Sequence, residues 1–154
     1  MFMSWKRFGT VAALALLSAG TARAQTVVDG DTITWQGKRV HLWGIDAPEK
    51  GQACADGWPA GQVAADYLAG LIRGRKVECQ AKSEPSGGRP AAQCKVDGQD
   101  LSAAMAAAGM AWAYTKETTD YTVQDSQAMI QVLGVHAHDC MKAWEWRTRS
   151  ERPR

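Results

Sequence analysis

The sequence lacks several patterns that mark common functional classes. Its four cysteines include no Cys-x-x-Cys pair, and no cysteine–histidine pair has a typical ligand spacing, so a zinc site is disfavoured. No arrangement resembles a Ser-His-Asp triad. The apolar run at residues 11–17 is too short for a stable membrane span. We find no internal repeat, linker or low-complexity segment, which indicates a single domain.

The chain also lacks a strong net charge. Residues 1–24 have the three parts of a signal peptide, namely early basic residues, an apolar run and a small-x-small end. An uncleaved anchor or a buried helix are the alternatives. Cleavage would leave 130 residues with 15 basic and 16 acidic side chains. Attraction to phosphate must then come from a local patch or a bound cation. We expect a periplasmic or secreted protein without a stable membrane anchor.

What the sequence does contain is a concentrated acidic stretch at residues 29–49. Strand-type residues on both sides of a reversal at residues 36–38 predict a β-hairpin. Folding this hairpin would place Asp31 beside Asp46, with Glu49 on the adjoining loop. Three carboxylates in one cleft repel each other unless a hard cation such as Ca²⁺ or Mg²⁺ lies among them.

The even number of cysteines in an exported chain predicts two disulfides. Cys79 and Cys94 lie at nearly equal distances from a predicted turn at residues 84–88, so they should face each other on neighbouring strands. Of the three possible connectivities we therefore prefer Cys79–Cys94 with Cys54–Cys140. Free buried thiols are the alternative reading.

Periodicity and end signals predict three helices, at residues 59–73, 101–108 and 122–133. Besides the hairpin, strands are predicted at residues 75–81, 89–97 and 110–114. Five mostly antiparallel strands interleaved with three helices make an α+β domain. The end of the chain, from residue 147, reads as a frayed tail.

Two segments resemble the thermonuclease, or staphylococcal-nuclease-like, family. They are residues 28–33 (Val-Asp-Gly-Asp-Thr-Ile) and 42–49 (Leu-Trp-Gly-Ile-Asp-Ala-Pro-Glu). Shorter matching segments lie at residues 88–89, 96–101, 109–111 and 144–147. The resemblance implies an OB-like five-stranded β-barrel with about three packed helices over residues 25–147, followed by a flexible tail at 148–154.

The resemblance also implies an activity and a set of roles. It predicts an exported, Ca²⁺-dependent nuclease that cleaves single-stranded or denatured DNA and RNA to 3′-phosphate products. Asp31 and Asp46 resemble the carboxylate ligands of the ion, with the Ala47 carbonyl as a third ligand. Glu49 resembles the group that activates the attacking water, and Arg89 resembles a phosphate-binding arginine. Turn, loop-capping and surface roles are the plainer readings of these residues.

The sequence departs from the family pattern at His41, where the family has its other catalytic arginine. Histidine cannot clamp two oxygens as a guanidinium does. The result would be a slow nuclease unless another group substitutes. Arg39 lies on the same strand face two residues earlier and is one candidate, and protonated His41 itself is another.

Three aromatic residues, Trp112, Tyr114 and Tyr121, either border the substrate groove and stack on bases or belong to the core. Two further functions stay open at this point. One is a non-catalytic nucleic-acid-binding module, and the other is a secreted structural or assembly factor. We expect a monomer.

Overall fold

The computed structural model describes residues 25–82 and 90–151, in which strands and helices alternate along the chain. The predicted signal peptide, Arg89 and the last three residues lie outside these ranges. The strands are β1 (Thr26–Asp29), β2 (Thr32–Trp35), β3 (Lys38–Leu42), β4 (Ile45–Asp46), β5 (Val77–Ala81), β6 (Ala91–Val96), β7 (Gln99–Asp100) and β8 (Trp112–Ala113). The helices are α1 (Ala60–Ile72), α2 (Leu101–Ala107), α3 (Thr122–Ile130) and α4 (Ala143–Ser150), with a 3₁₀ turn at Gly134–His136.

The main sheet has the order β1-β2-β3-β6-β5, with β7 paired to β6, and β4 pairs separately with β8. The α+β class is as predicted. The expected closed five-stranded barrel is corrected, because the described residues form eight strands in two sheets and no pairing joins β5 back to β1. The side chain of Trp35 crosses part of this gap, since its Nε1 donates to the carbonyl of Val77 at 3.1 Å.

The hairpin of β2 and β3 positions the acidic stretch. Its two turn residues, Gln36 and Gly37, both have positive φ, the conformation that matches the right-handed twist of the flanking strands. The resulting register pairs Thr32 with His41, and the Leu42 N–H donates to the carbonyl of Asp31 at 2.7 Å. Ile33, Leu42 and Ile45 are fully buried beneath the hairpin. A hydrophobic core therefore fixes the base of the acidic cluster.

The C-terminal part departs most from the sequence-based expectation. The expected tail from residue 147 is instead helical as far as Ser150, within α4. Trp144 of this helix packs edge-on against Trp112, with ring centroids 6.2 Å apart. Apolar contact with the core explains why so short a helix forms, since few isolated helices of this length are stable. No helix in the described part of the chain is both long and apolar enough to cross a membrane.

Both expected disulfides are present, Cys79–Cys94 and Cys54–Cys140. Cys79 and Cys94 are direct partners in the β5–β6 register. The Cys54–Cys140 bridge has a different position, because it joins the loop after β4 to the segment that leads into α4, at a sequence separation of 86. The second bridge thus links the acidic hairpin region to the C-terminal helix.

Gly61 provides a test of how the Glu49 loop sits on α1. A Cβ at Gly61 would lie 1.8 Å from the carbonyl oxygen of Glu49, whereas a Cβ at Gly70 of the same helix meets nothing within 4 Å. We expect Gly61→Ala to destabilise the fold by about 1–3 kcal/mol through overpacking. Gly70→Ala should instead stabilise it by about 0.5–1 kcal/mol, because alanine is the better helix former.

Thermal unfolding of the two glycine variants checks this prediction. Turnover should fall in Gly61→Ala, since the displaced loop carries Glu49, and should be unchanged in Gly70→Ala. Equal melting temperatures for the two variants would contradict the close packing of α1 on this loop.

Candidate active site

The cluster is built on a tight turn between β1 and β2. In this turn the Asp31 N–H donates to Oδ1 of Asp29 at 3.2 Å. Oδ2 of Asp31 accepts from the backbone N–H of Ala47 at 2.7 Å, and Oδ1 accepts from the Thr32 hydroxyl at 2.9 Å. The predicted approach of residue 31 to the 46–47 region is therefore present.

His41 lies against the same carboxylate. Its Nδ1 is 3.2 Å from Oδ1 of Asp31, and both side chains are about nine-tenths buried. Burial opposes ionisation of Asp31, yet His41 and the hydrogen bond from Ala47 lower the pKa of this carboxyl below its usual range. Asp29 behaves in the opposite way, because burial and the nearby charge of Asp31 raise its pKa to about 6. Negative charge in the turn is thus concentrated on Asp31.

Asp46 and Glu49 come from the short strand β4 and the loop that follows it. β4 is held by antiparallel pairing with β8, where Asp46 is opposite Trp112. The Asp46 side chain is 5 % exposed, while that of Glu49 is 30 % exposed. Burial raises the pKa of Asp46, and its hydrogen bonds with Arg147 oppose that shift. One carboxylate is therefore buried, and the other is partly exposed to solvent.

The Glu49 loop is held by a buried glutamine. Gln52 is 1 % exposed, and its side-chain oxygen accepts from the Glu49 N–H at 3.1 Å. Its side-chain nitrogen donates to the carbonyl of Met141 at 2.6 Å. Because a buried amide is costly unless it is hydrogen-bonded, Gln52 fixes the Glu49 loop to the segment before α4. No local signal in the sequence marks this residue as part of the site.

Arg147 of α4 completes the cluster. Its Nη1 donates to Oδ1 of Asp46 at 2.9 Å and to Oε1 of Glu49 at 2.6 Å, while its Nη2 donates to Oδ2 of Asp46 at 2.7 Å. These bonds, foremost those to Asp46, raise the pKa of Arg147 further above its ordinary value. The arginine belongs to a segment that resembles the family, but no local pattern in the sequence places it among the acidic residues.

The other predicted site residues are distributed as follows. Arg39 is exposed on β3, on the same face as His41 but away from the hydrogen-bonded cluster. Trp112 and Tyr121 are 2 % and 4 % exposed, which places both in the core, the alternative that the sequence left open. Rings buried to this extent offer little surface for stacking on a base, so the burial favours the core alternative over substrate binding for both residues. Tyr114 is half-buried, with its ring 5.7 Å from that of Trp144.

The carboxylate oxygens of Asp31 and Asp46 and the carbonyl oxygen of Ala47 are the kind of ligand that a hard cation prefers. Within residues 25–82 and 90–151, however, no group of three or more His, Cys, Asp or Glu side chains is arranged to hold a metal. A calcium site here would have to combine the two aspartates, Asp31 and Asp46, with the Ala47 carbonyl and water. The burial that raises the pKa of Asp46 is the electrostatic condition that a divalent ion relieves.

Comparison with known proteins indicates the same family as the sequence motifs. The sequence model of the family described as "Staphylococcal nuclease homologue" matches residues 39–138. A Haemophilus influenzae protein described as an "Uncharacterized endonuclease" is 30 % identical over 131 residues, which cover 82 % of this chain and 70 % of that protein. A Rhizobium meliloti protein, "Succinoglycan biosynthesis protein ExoI", is 32 % identical over 115 residues, covering 64 % of this chain and 58 % of that protein. The chain belongs to the staphylococcal nuclease homologue family.

Proposed function

We propose that this protein is an exported, Ca²⁺-dependent nuclease that hydrolyses phosphodiester bonds of DNA and RNA. The observation that carries the proposal is the clustering of Asp31, Asp46 and Glu49, which hydrogen bonds of the Ala47 N–H and of Arg147 hold in place, in a chain of a nuclease family. The Haemophilus influenzae relative is described as an endonuclease, which supports phosphodiester hydrolysis as the reaction class.

Asp31 and Asp46, with the carbonyl of Ala47, would hold the calcium ion. When bound, Ca²⁺ supplies Lewis-acid polarisation of a phosphoryl oxygen and offsets repulsion between the acidic cleft and a polyanion. The two aspartates differ from Glu49 in burial, and this difference suits separate roles. A buried carboxylate is suited to a fixed ligand, whereas a partly exposed one can meet water.

Glu49 is positioned to accept the proton of the attacking water. Its Oε1 is held by Arg147, and its loop is held by Gln52, so the orientation of the carboxylate is restricted. The water oxygen bonds to phosphorus as its proton moves to Glu49, and the bond from phosphorus to the 5′ oxygen breaks. The 5′ oxygen then takes a proton from solvent, and the other product carries a 3′-phosphate.

Single-stranded or denatured nucleic acid is the substrate form that we propose. Tyr114 is the one of the three candidate aromatics that is not buried in the core, so it is the one available for contact with a base. Export by a signal peptide at residues 1–24 is consistent with two disulfides, which persist in oxidising compartments. We further propose that the protein acts as a monomer in the periplasm or outside the cell.

The direct test is hydrolysis of denatured DNA by the purified protein with Ca²⁺, with Mg²⁺ and with excess chelator. We expect turnover with Ca²⁺ and none with chelator. Mg²⁺ should support binding better than turnover, because it requires tighter octahedral geometry and retains its waters. Equal rates with both ions, or activity in chelator, would contradict the roles of Asp31 and Asp46.

The same experiment separates the two other functions. A binding module would retain a single-stranded oligonucleotide with Ca²⁺ but release no products. A secreted assembly factor would neither bind nor cleave, and replacing Asp46 would leave its phenotype unchanged. The relative named for succinoglycan biosynthesis keeps this second possibility worth testing.

A further inference from the structure

The guanidinium of Arg147 is the positive group placed closest to the candidate chemistry among the described residues. It donates two hydrogen bonds to Asp46 and one to Glu49. An arginine side chain has five N–H donors, so the carboxylates engage three of them. The remaining donors belong to a side chain that is 29 % exposed, and a substrate can therefore reach it.

The position of Arg147 is determined by contacts of the segment before α4 and of the helix itself. Before the helix, Cys140 is bonded to Cys54, and the carbonyl of Met141 accepts from buried Gln52. Within the helix, Trp144 packs against Trp112. A guanidinium held in this way is preorganised, so little reorganisation accompanies its contact with a phosphate.

Among the residues that the structure describes, neither His41 nor Arg39 provides an equivalent group, and Arg89 lies outside them. His41 is directed at Asp31 and cannot form a two-pronged clamp. Arg39 is exposed on β3. A phosphodiester that approaches Glu49 therefore meets a carboxylate-lined surface in which Arg147 is the fork-shaped donor at hydrogen-bonding distance from both Asp46 and Glu49.

We propose that Arg147 is a catalytic residue that binds the scissile phosphate, supplying from the C-terminal helix the guanidinium that is missing at position 41. The proposal deepens the proposed function and depends on it. Asp46 and Glu49 hold the fork from one side, and its remaining N–H groups donate to the phosphoryl oxygens on which charge grows during attack. Arg147 thus places an oriented positive group beside the carboxylates that a substrate would approach.

Four variants test this role: Arg147→Ala, Arg147→Lys, His41→Arg and the control Arg149→Ala. Arg149 is exposed on the same helix, so its removal takes away the same charge without touching the carboxylates. The measurements are turnover on denatured DNA at saturating Ca²⁺, affinity for a phosphorothioate single-stranded oligonucleotide, and melting temperature.

We expect turnover of Arg147→Ala to fall about 10²–10³-fold, the range for loss of one donor to a developing oxyanion. Its oligonucleotide affinity should fall about 10-fold or more, because charge-assisted hydrogen bonds are lost. Arg147→Lys should melt near the wild-type temperature yet remain at least about 10-fold slow, since lysine cannot form the fork. Arg149→Ala should match wild type, and His41→Arg should gain little.

Several results would overturn the proposal. Faster turnover in Arg147→Ala would mean that the arginine blocks the cleft as an internal counter-ion. Full activity in Arg147→Lys would mean that a positive charge suffices and that the guanidinium fork is not needed. An equal loss of turnover in Arg149→Ala would mean that the general positive charge of α4 matters and that the position of Arg147 does not. If the wild type cleaves nothing, the proposed function fails. The affinity measurement then tests phosphate binding by Arg147 separately, and unchanged oligonucleotide affinity in Arg147→Lys and Arg147→Ala would overturn that role.

Discussion

Glu49→Gln should lower turnover on denatured DNA by about 10²–10⁴-fold, the usual range for loss of a group that transfers a proton. Glutamine keeps an oxygen that can accept from Arg147, so the contact at Oε1 is preserved. It has no basic carboxylate to take a proton from water. Calcium-dependent binding of a single-stranded oligonucleotide should therefore remain close to the wild-type affinity.

The matched control for this variant is Glu145→Gln. Glu145 is an exposed carboxylate on α4, so its replacement removes the same charge near the cleft without touching the cluster. Its turnover should be unchanged. If the affinity of Glu49→Gln falls together with its rate, Glu49 holds the cation or supports the loop, and its assignment as proton acceptor is wrong.

Removing the Cys54–Cys140 bridge in a double serine variant should lower the free energy of unfolding by about 4–5 kcal/mol on the chain-entropy model. The large value follows from the sequence separation of 86 residues. Turnover of the molecules that stay folded should also fall. The bridge anchors the segment before α4, and a looser α4 would hold Arg147 less firmly against Asp46 and Glu49.

The Cys79–Cys94 disulfide provides the comparison for the Cys54–Cys140 variant. Cys79 and Cys94 are separated by 15 residues and pair two adjacent strands away from the cluster. Their double serine variant should lose about 3 kcal/mol of stability and keep the turnover of its folded fraction. Urea unfolding, combined with turnover measured at a temperature where both variants are folded, tests the contrast. Equal effects on turnover would show that α4 does not depend on the Cys54–Cys140 bridge.

Much of the fold could be predicted because its signals are local. Asp100, a residue type that favours helix N-caps, directly precedes α2, and its side chain accepts from the Ala103 N–H at 3.1 Å. The helix predicted at residues 122–133 exists but ends earlier, at Ile130. At the start of this helix the N-cap residue, Tyr121, makes no side-chain capping bond, and the Asp125 carboxylate accepts from the Ala113 N–H at 3.2 Å. The Asp125 carboxylate therefore makes a tertiary hydrogen bond to the Ala113 N–H, and not a local bond within the first turn of α3.

The acidic half of the candidate site was also predictable. A glycine between two aspartates, a short hairpin and a proline-containing loop restrict the backbone within about twenty residues. Asp31, Asp46 and Glu49 consequently lie close together for reasons that the stretch itself contains. The aromatic residues were ambiguous because an apolar ring suits a groove and a core equally well, and only packing placed Trp112 and Tyr121 inside.

The sequence by itself determined the family, the α+β class, the acidic cluster and the pairing of Cys79 with Cys94. Only the tertiary structure decided the basic half of the site. Arg147 meets Asp46 and Glu49 across separations of 101 and 98 residues, and no periodicity or turn signal reports such a contact. It depends on a buried glutamine, a disulfide and a tryptophan pair that together dock α4. Local backbone preferences act over a few residues, whereas the placement of this guanidinium is a property of the packed domain.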